Sequence, residues 1–344
     1  MSKDVSKNYR VLNIYMRLFD GATVTKAGLA KEFGVDERSI QRDIDDIRHY
    51  LEDRRSDQGE TGLEIVYDRC SKCFRMQGVD NATMMDNGQV LAVSKILLES
   101  RAFPKKEIDD ILTKMIIGCV SKKNKNSIEQ FIANEKFNYV ELGNYGNELA
   151  RDKGPVKDRI WALSNFLQKQ SILNINYQRS ADGRQVKHTI VPVGILFSEY
   201  YFYLAAYNLE KQADAYVQKY SYPTIFRIDR IVDYKDTKAV FRIEYDERFK
   251  EGEFKKRIQF MFNGELQYLD FKYYGRSLEA VKDRLPTAEV VESGEGYTRL
   301  QAEVYGEGVL MWFLSQGSDI EVLKPLALRE KLKARLEAAL KRYQ

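Results

Sequence analysis

The chain has 344 residues, 44% apolar and 31% charged, a mixture that builds packed domains, two or three of them at about 150 residues each. Its 55 basic and 51 acidic residues nearly cancel, leaving +4, so any nucleic-acid surface has to come from local arrangement. No apolar run approaches the ~18 residues of a membrane span, and Met1–Asn8 lacks the apolar core of a secretory signal, so a cytoplasmic protein without membrane contact is expected.

Residues 8–19 carry Leu12, Tyr15, Met16 and Phe19 at helical spacing, which predicts a first helix buried on that face. The stretch from Gly21 breaks it, and Thr25 is placed to cap a short helix through Leu29, Ala30 and Phe33. Gly34 stands where a helix end favours a left-handed residue, and Asp36 is placed to cap the next helix. There Ile40, Ile44, Ile47 and Leu51 form one inward stripe. Helix, short helix, glycine turn and helix is helix-turn-helix grammar. Arg38, Ser39, Gln41 and Arg42 lie off the stripe near the helix start and suit base edges and phosphates. Leu63, Ile65 and Tyr67 alternate, then Phe74 and Met76, predicting a hairpin wing with Arg69 and Lys72 near its tip. The competing reading is a small bundle with a solvated polar face, because bases and acids nearly balance over 1–56. Position favours DNA, since Asp43, Asp45, Asp46, Glu52 and Asp53 come after the helix start.

The run Val35-Asp-Glu-Arg-Ser-Ile-Gln-Arg-Asp-Ile-Asp-Asp-Ile-Arg48 resembles the winged-helix segment of WYL-domain transcription regulators, with Asp36 and Ser39 where that family has Ser and Thr. The resemblance implies that this run is the recognition helix.

Residues 86–135 read as helices, with Pro104 in a first turn and Lys122–Asn126 as a solvated basic loop. A further helix is expected from 155 to 170 through Ile160, Trp161, Leu163 and Phe166. The region is read as a helical connector that also offers dimer contacts.

From Ile172 the period becomes two. Strands are predicted at Ile172–Tyr177, Val186–Ile190, Tyr201–Tyr207, Tyr216–Tyr220 and Thr224–Ile231. Asp182-Gly183 is a hairpin turn, and Asn208–Gln212 is turn-like. Five short strands at this spacing point to a strongly bent sheet or barrel. Ile190-Val-Pro-Val-Gly194, Phe202-Tyr203-Leu204 and Phe226-Arg-Ile-Asp-Arg-Ile231 resemble a WYL domain, Phe202 standing for its tryptophan. The resemblance implies an Sm-like five-stranded β-barrel that senses a nucleotide or single-stranded nucleic acid. Tyr177, Arg179, His188, Tyr203, Arg227 and Arg230 supply cations and aromatic faces for such a ligand. For Arg227 and Arg230, pairing with Asp229 stands equally open, and on a regular strand the two point to opposite sides. His188 alone reads more readily as structural.

Residues 257–343 read strand, strand, helix, strand, strand, helix, strand, helix, the first strand at Ile258–Phe262 and the last helix with Leu328, Leu332, Leu336 and Leu340 in register. This is an α+β layer. Met311–Leu314 and Ile320–Pro325 resemble the extension that follows WYL domains.

The fold class is thus α+β multidomain: a winged helix-turn-helix (1–80), a helical connector (81–170), a WYL barrel (171–245) and an α+β extension (253–344). Two histidines, His49 and His188, leave no His-rich metal site and little room for Ser-His-Asp chemistry. Three cysteines make no disulfide framework, and Cys70-Ser-Lys-Cys73 lacks two further zinc ligands. No cofactor, metal or enzymatic activity is expected. The expected function is a ligand-responsive DNA-binding transcription regulator, a homodimer on an inverted-repeat operator. The alternative is an RNA or single-stranded nucleic-acid binder acting through the barrel.

Overall fold

The computed structural model describes residues 6–58, 63–78, 85–120, 122–142, 154–180, 182–213, 215–244 and 249–344. The chain divides into two compact units, residues 1–141 and 142–344. Among the described residues, no helix is long and apolar enough to cross a membrane.

The first unit opens with α1 (Lys7–Phe19), α2 (Lys26–Phe33) and α3 (Glu37–Gln58), then β1 (Glu64–Asp68) and β2 (Cys73–Gln77) as an antiparallel hairpin. The predicted caps are all present. Thr25 Oγ1 accepts from the Gly28 amide at 3.1 Å, Gly34 sits at φ 67°, and Asp36 Oδ1 accepts from the Ser39 amide at 2.6 Å. Ile40, Ile44, Ile47 and Leu51 are buried, each worth roughly 1.5–3 kcal/mol against exposure. The first helix differs from expectation. Leu12 and Met16 are 63% and 52% exposed, whereas Arg10, Ile14 and Leu18 are buried. Arg10 goes inward because it meets Asp43 of α3, with Nη2 donating to Oδ1 at 3.1 Å and Nε to Oδ2. Residue 24 bridges residue 74, tying the chain before α2 to the hairpin.

Three more helices are described in this unit: α4 (Asn87–Ser100), α5 (Lys105–Cys119) and α6 (Lys122–Phe137). Asp86 and Gln89 close a capping box on α4. Val90, Leu98, Ile108, Leu112, Ile116, Ile128 and Ile132 are buried. The predicted loop at 122–126 is instead the first turn of α6. Lysine propagates a helix well, and Ile128 and Ile132 anchor the helix downstream.

The second unit begins with α7 (Val156–Gln168), which packs on a six-stranded antiparallel sheet. Its strands are β3 (Ser171–Gln178), β4 (Gln185–Ser198), β5 (Tyr201–Gln212), β6 (Ala215–Gln218), β7 (Thr224–Arg227) and β8 (Ile231–Val240). The order is β6-β5-β4-β3-β8, with β7 on β5. The expected barrel does not close. No ladder among the described residues joins β8 to β5, β6 or β7, and the chain passes between the two sides through the 3₁₀ turn Ile228–Arg230. That turn also interrupts the strand expected over 224–231. Residues 208–212, expected as a turn, extend β5 and pair with β6. One core joins Leu163 of α7 to Leu173, Ile175, Ile190, Leu204, Phe226, Ile228 and Ile231.

A short α8 (Glu251–Arg257) leads to the last module. Residues 258–262, expected as a strand, make only one bridge, from Ile258 to Tyr305, because Phe260 and Met261 turn left-handed. Then come β9 (Leu266–Tyr273), α9 (Leu278–Arg284), β10 (Glu289–Gly294), β11 (Tyr297–Tyr305), α10 (Val309–Gln316), β12 (Ile320–Lys324) and α11 (Leu326–Leu340). The antiparallel sheet runs β10-β11-β9-β12, a ferredoxin-like βαββαβ arrangement with a terminal helix added. Phe271, Leu300, Val304, Val322, Val281, Leu285, Leu310, Phe313, Leu328 and Leu332 fill its core. The leucine stripe of α11 is buried only in its first half; Leu336 and Leu340 are exposed.

Candidate nucleic-acid interface and ligand pocket

The first half of α3 carries four of the residues singled out from sequence. Arg38 and Arg42 are exposed, and neither makes a side-chain bond to a described residue. Ser39 is half-buried and closes the Asp36 cap through its amide. Gln41 is partly committed: its Nε2 donates to Asp45 Oδ1 at 3.0 Å. Arg69 and Lys72 stand in the four-residue turn between β1 and β2, both exposed, with Lys72 at φ 52°. The amide and hydroxyl of Ser39, with a smaller share from the Arg38 amide, hold the Asp36 carboxyl below its ordinary range, so the cap stays charged at neutral pH.

Two arginines that sequence reading passed over set the geometry of this surface. Arg10 fixes α3 from beneath through Asp43, one residue beyond Arg42. Arg48 Nε and Nη2 donate to the Ile65 carbonyl at 3.3 and 3.2 Å, and Nη1 to Asp45 Oδ1 at 3.1 Å. Its guanidinium also lies 5.6 Å from the centre of the Phe74 ring. Arg48 therefore moors the hairpin to α3. Partners 17 and more residues away give no local pattern, so neither role was readable from spacing.

In the six-stranded sheet the predicted cluster divides between two faces. Tyr177, His188 and Phe226 pack edge-on with ring centres 5.1–6.5 Å apart. His188 Nδ1 meets Asn208 Oδ1 at 3.1 Å, while Asn208 Nδ2 donates to Thr224 Oγ1 at 2.5 Å. With its amide NH₂ spent on Thr224, Asn208 accepts at Oδ1, so His188 donates from Nδ1 and keeps Nε2 as an acceptor. Burial pushes the His188 imidazole below its ordinary value, which keeps it neutral. Tyr203 faces the opposite core with Leu196 and Ala205, and burial pushes its phenol up to about 12.

Arg227 is committed to structure. It holds Asp229 in a two-pronged pair at 3.0 and 2.6 Å, and its guanidinium lies 3.3 Å from the centre of the Tyr201 ring. Arg230 makes no side-chain bond to a described residue and is half-buried. Arg227 ends β7 in extended geometry and Ile228–Arg230 form a 3₁₀ turn, so the regular-strand geometry behind the expectation that the two arginines point apart stops at Arg227. Both guanidiniums act on the Tyr177 hydroxyl, partly opposing the upward push that burial gives it. That hydroxyl also accepts from the Arg227 amide at 3.3 Å. The turn is fastened from below by buried Arg159 of α7, whose Nη2 donates to the Ile228 carbonyl at 2.7 Å and to the Ile231 carbonyl. Arg179 stands apart, exposed at the start of the β3–β4 turn and 3.9 Å from Asp182.

The open side of β3, β4 and β8 forms a depression of about 430 Å³ lined by Asn174, Asn176, Lys187, His188, Thr189, Asp233 and Lys235. Lys187 pairs across from Asn176 and Lys235 from Asn174, so two ammonium groups flank β3. Of the predicted ligand residues only His188 borders it, and its ring packs on the opposite face against Tyr177 and Phe226. Its polar floor was visible as the alternation Asn174, Asn176, while the lysines needed the strand register. Among the described residues no three His, Cys, Asp or Glu are grouped to hold a metal.

Comparison with known proteins places two family models on the second unit. A WYL domain matches residues 160–236, and a WCX domain matches residues 268–340. The comparison with curated proteins returned no match. Among solved structures, proteasome accessory factor B/C (PafBC) of Arthrobacter aurescens aligns at 16% identity over 96% of this chain and 46% of its own, with a TM-score of 0.24. The chain thus spans less than half of that protein. A CRISPR Cas-related protein aligns at 13% identity over 98% of this chain and 92% of its own, with a TM-score of 0.35. Neither superposition is close enough to speak for the fold. The two domain matches coincide with the six-stranded sheet and with the ferredoxin-like module, so the second unit carries a WYL domain followed by a WCX domain.

Proposed function

We propose that this chain is a DNA-binding transcription regulator whose activity answers to a ligand at its WYL domain. The observation that carries the reading is the start of α3. A capped helix presents Arg38 and Arg42 to solvent with no side-chain hydrogen bond to a described residue, and the α1–β2 module is a winged helix-turn-helix in this reading. Such a helix lays its first turns in the major groove, where arginine reads guanine and Gln41 reads adenine. Arg69 and Lys72 of the wing then contact backbone phosphates. The ligand is a nucleotide or a short single strand. The lysines flanking β3 suit its phosphate, and Asn174 and Asn176 suit base edges. A ligand that binds one arrangement of a dimer better than another shifts operator affinity by that difference.

Selection of duplex DNA from a random pool with the full chain tests this. An inverted repeat with half-sites spaced by a helical turn or a multiple of it is expected. Repeating the selection with mononucleotides and short single strands is expected to change the yield. A pool that shows no enrichment over many rounds contradicts the proposal.

A further inference from the structure

A second cavity, of about 420 Å³, lies where the WYL domain meets the WCX domain. Its walls come from the β4–β5 turn, the segment after α8 and the end of α9, well removed in sequence from the depression on β3. The volume falls within the range of small-molecule sites.

Several groups here lack the partners their chemistry calls for. Gln259 is only 4% exposed and lines the cavity, yet its side-chain amide bonds to no described residue. Arg284 Nε is likewise buried with no partner among the described residues. The nearest carboxylate, Glu199, is 3.9 Å from Arg284, too far for a hydrogen bond. The guanidinium lies 4.0 Å from the centre of the Phe260 ring, which orients its edge. Phe260 and Met261 adopt φ 52° and 56° in succession, a conformation that bulky residues hold only where the surroundings enforce it.

We propose that this junction cavity binds a small oxyanion, carboxylate or phosphate, carried on a flat apolar body. The anionic head faces Arg284 and Lys255, with the Gln259 amide as a further donor. The body rests against Phe197 and Phe260. Glu199 and Asp283 line the same cavity and balance its charge, so an entering anion takes the place of Glu199 beside Arg284. Because both domains supply walls, occupancy couples the β4–β5 turn to α9.

Calorimetric titration of the full chain with benzoate, phenyl phosphate and inorganic phosphate tests the proposal. Saturable binding of benzoate or phenyl phosphate, tighter than inorganic phosphate, is expected, and the ratio of the first two identifies the head group. Arg284→Met keeps an apolar stem over Phe260 and should weaken binding about tenfold. Lys255→Gln, at an exposed position, should weaken it roughly threefold without moving the melting temperature. Arg230→Gln, which belongs to the WYL turn, should leave it unchanged. No saturable binding of any probe, or binding indifferent to both Arg284→Met and Lys255→Gln, overturns the proposal.

Discussion

Asp43→Ala removes the carboxylate that lets Arg10 be buried under the recognition surface. The Asp43 side chain is about 1% exposed and that of Arg10 9%, so the pair is shut off from water. Asp43 holds the guanidinium by two hydrogen bonds and raises the arginine's pKa, chiefly through those bonds. Deleting one partner of a buried pair leaves an uncompensated charge, at roughly 3–5 kcal/mol. Since about 1.4 kcal/mol is a factor of ten, amides of α1 and α3 should exchange hydrogen on the order of 10² to 10³ times faster. Exchange measured by mass spectrometry on the full chain isolates this effect, because the WYL and WCX amides serve as an internal reference. The double variant Arg10→Met/Asp43→Leu removes both charges and should recover most of the protection. Protection in α1 and α3 within a few-fold of the parent for Asp43→Ala, or a double variant as poorly protected as the single, refutes the reasoning.

Arg159→Leu strips the donor from the Ile228 and Ile231 carbonyls and should destabilise the WYL domain by about 1–3 kcal/mol, read as a lower melting temperature. Arg227→Gln should destabilise the same domain by breaking the Asp229 pair, whereas Lys187→Gln should leave the melting temperature unchanged and weaken nucleotide binding instead; the reverse pattern contradicts the assigned roles. His188 has its folded-state pKa depressed by burial, so the unfolded chain takes up its proton first and stability is lost as pH falls below about 6.5. In His188→Asn that loss should be smaller, as measured by denaturant midpoints at pH 7.5 and 5.5.

Much of the local structure was readable from local chemistry. Thr25, Gly34 and Asp36 mark their helix ends because a cap needs only its own few residues. The order of strands and helices after Leu266 follows from alternation and helical spacing alone. What stayed hidden depends on distant partners. Leu12 and Met16 read as a buried face because nothing near Arg10 announces Asp43, 33 residues on. The open sheet reads as a barrel because closure is decided by ladders between β8 and its far neighbours. The strand expected over 224–231 breaks at a 3₁₀ turn held by Arg159, 69 and 72 residues before its carbonyl partners. Lys187 and Lys235 join one site only through the register of β3 with both neighbours. The residues proposed for DNA were legible by type and position, while the two arginines that hold their scaffold were not.

The central claim rests on Arg38 and Arg42 at the start of α3. Fluorescence anisotropy with the selected duplex, compared at one salt concentration for the parent and for Arg38→Ala/Arg42→Ala, tests it most directly. Loss of one base-reading arginine costs about 1–3 kcal/mol. The account therefore predicts at least a tenfold weaker affinity for the selected site, a smaller change on random DNA, and unchanged hydrogen exchange in α1 and α3. Selected-site affinity equal to the parent's, with the fold intact, would contradict it.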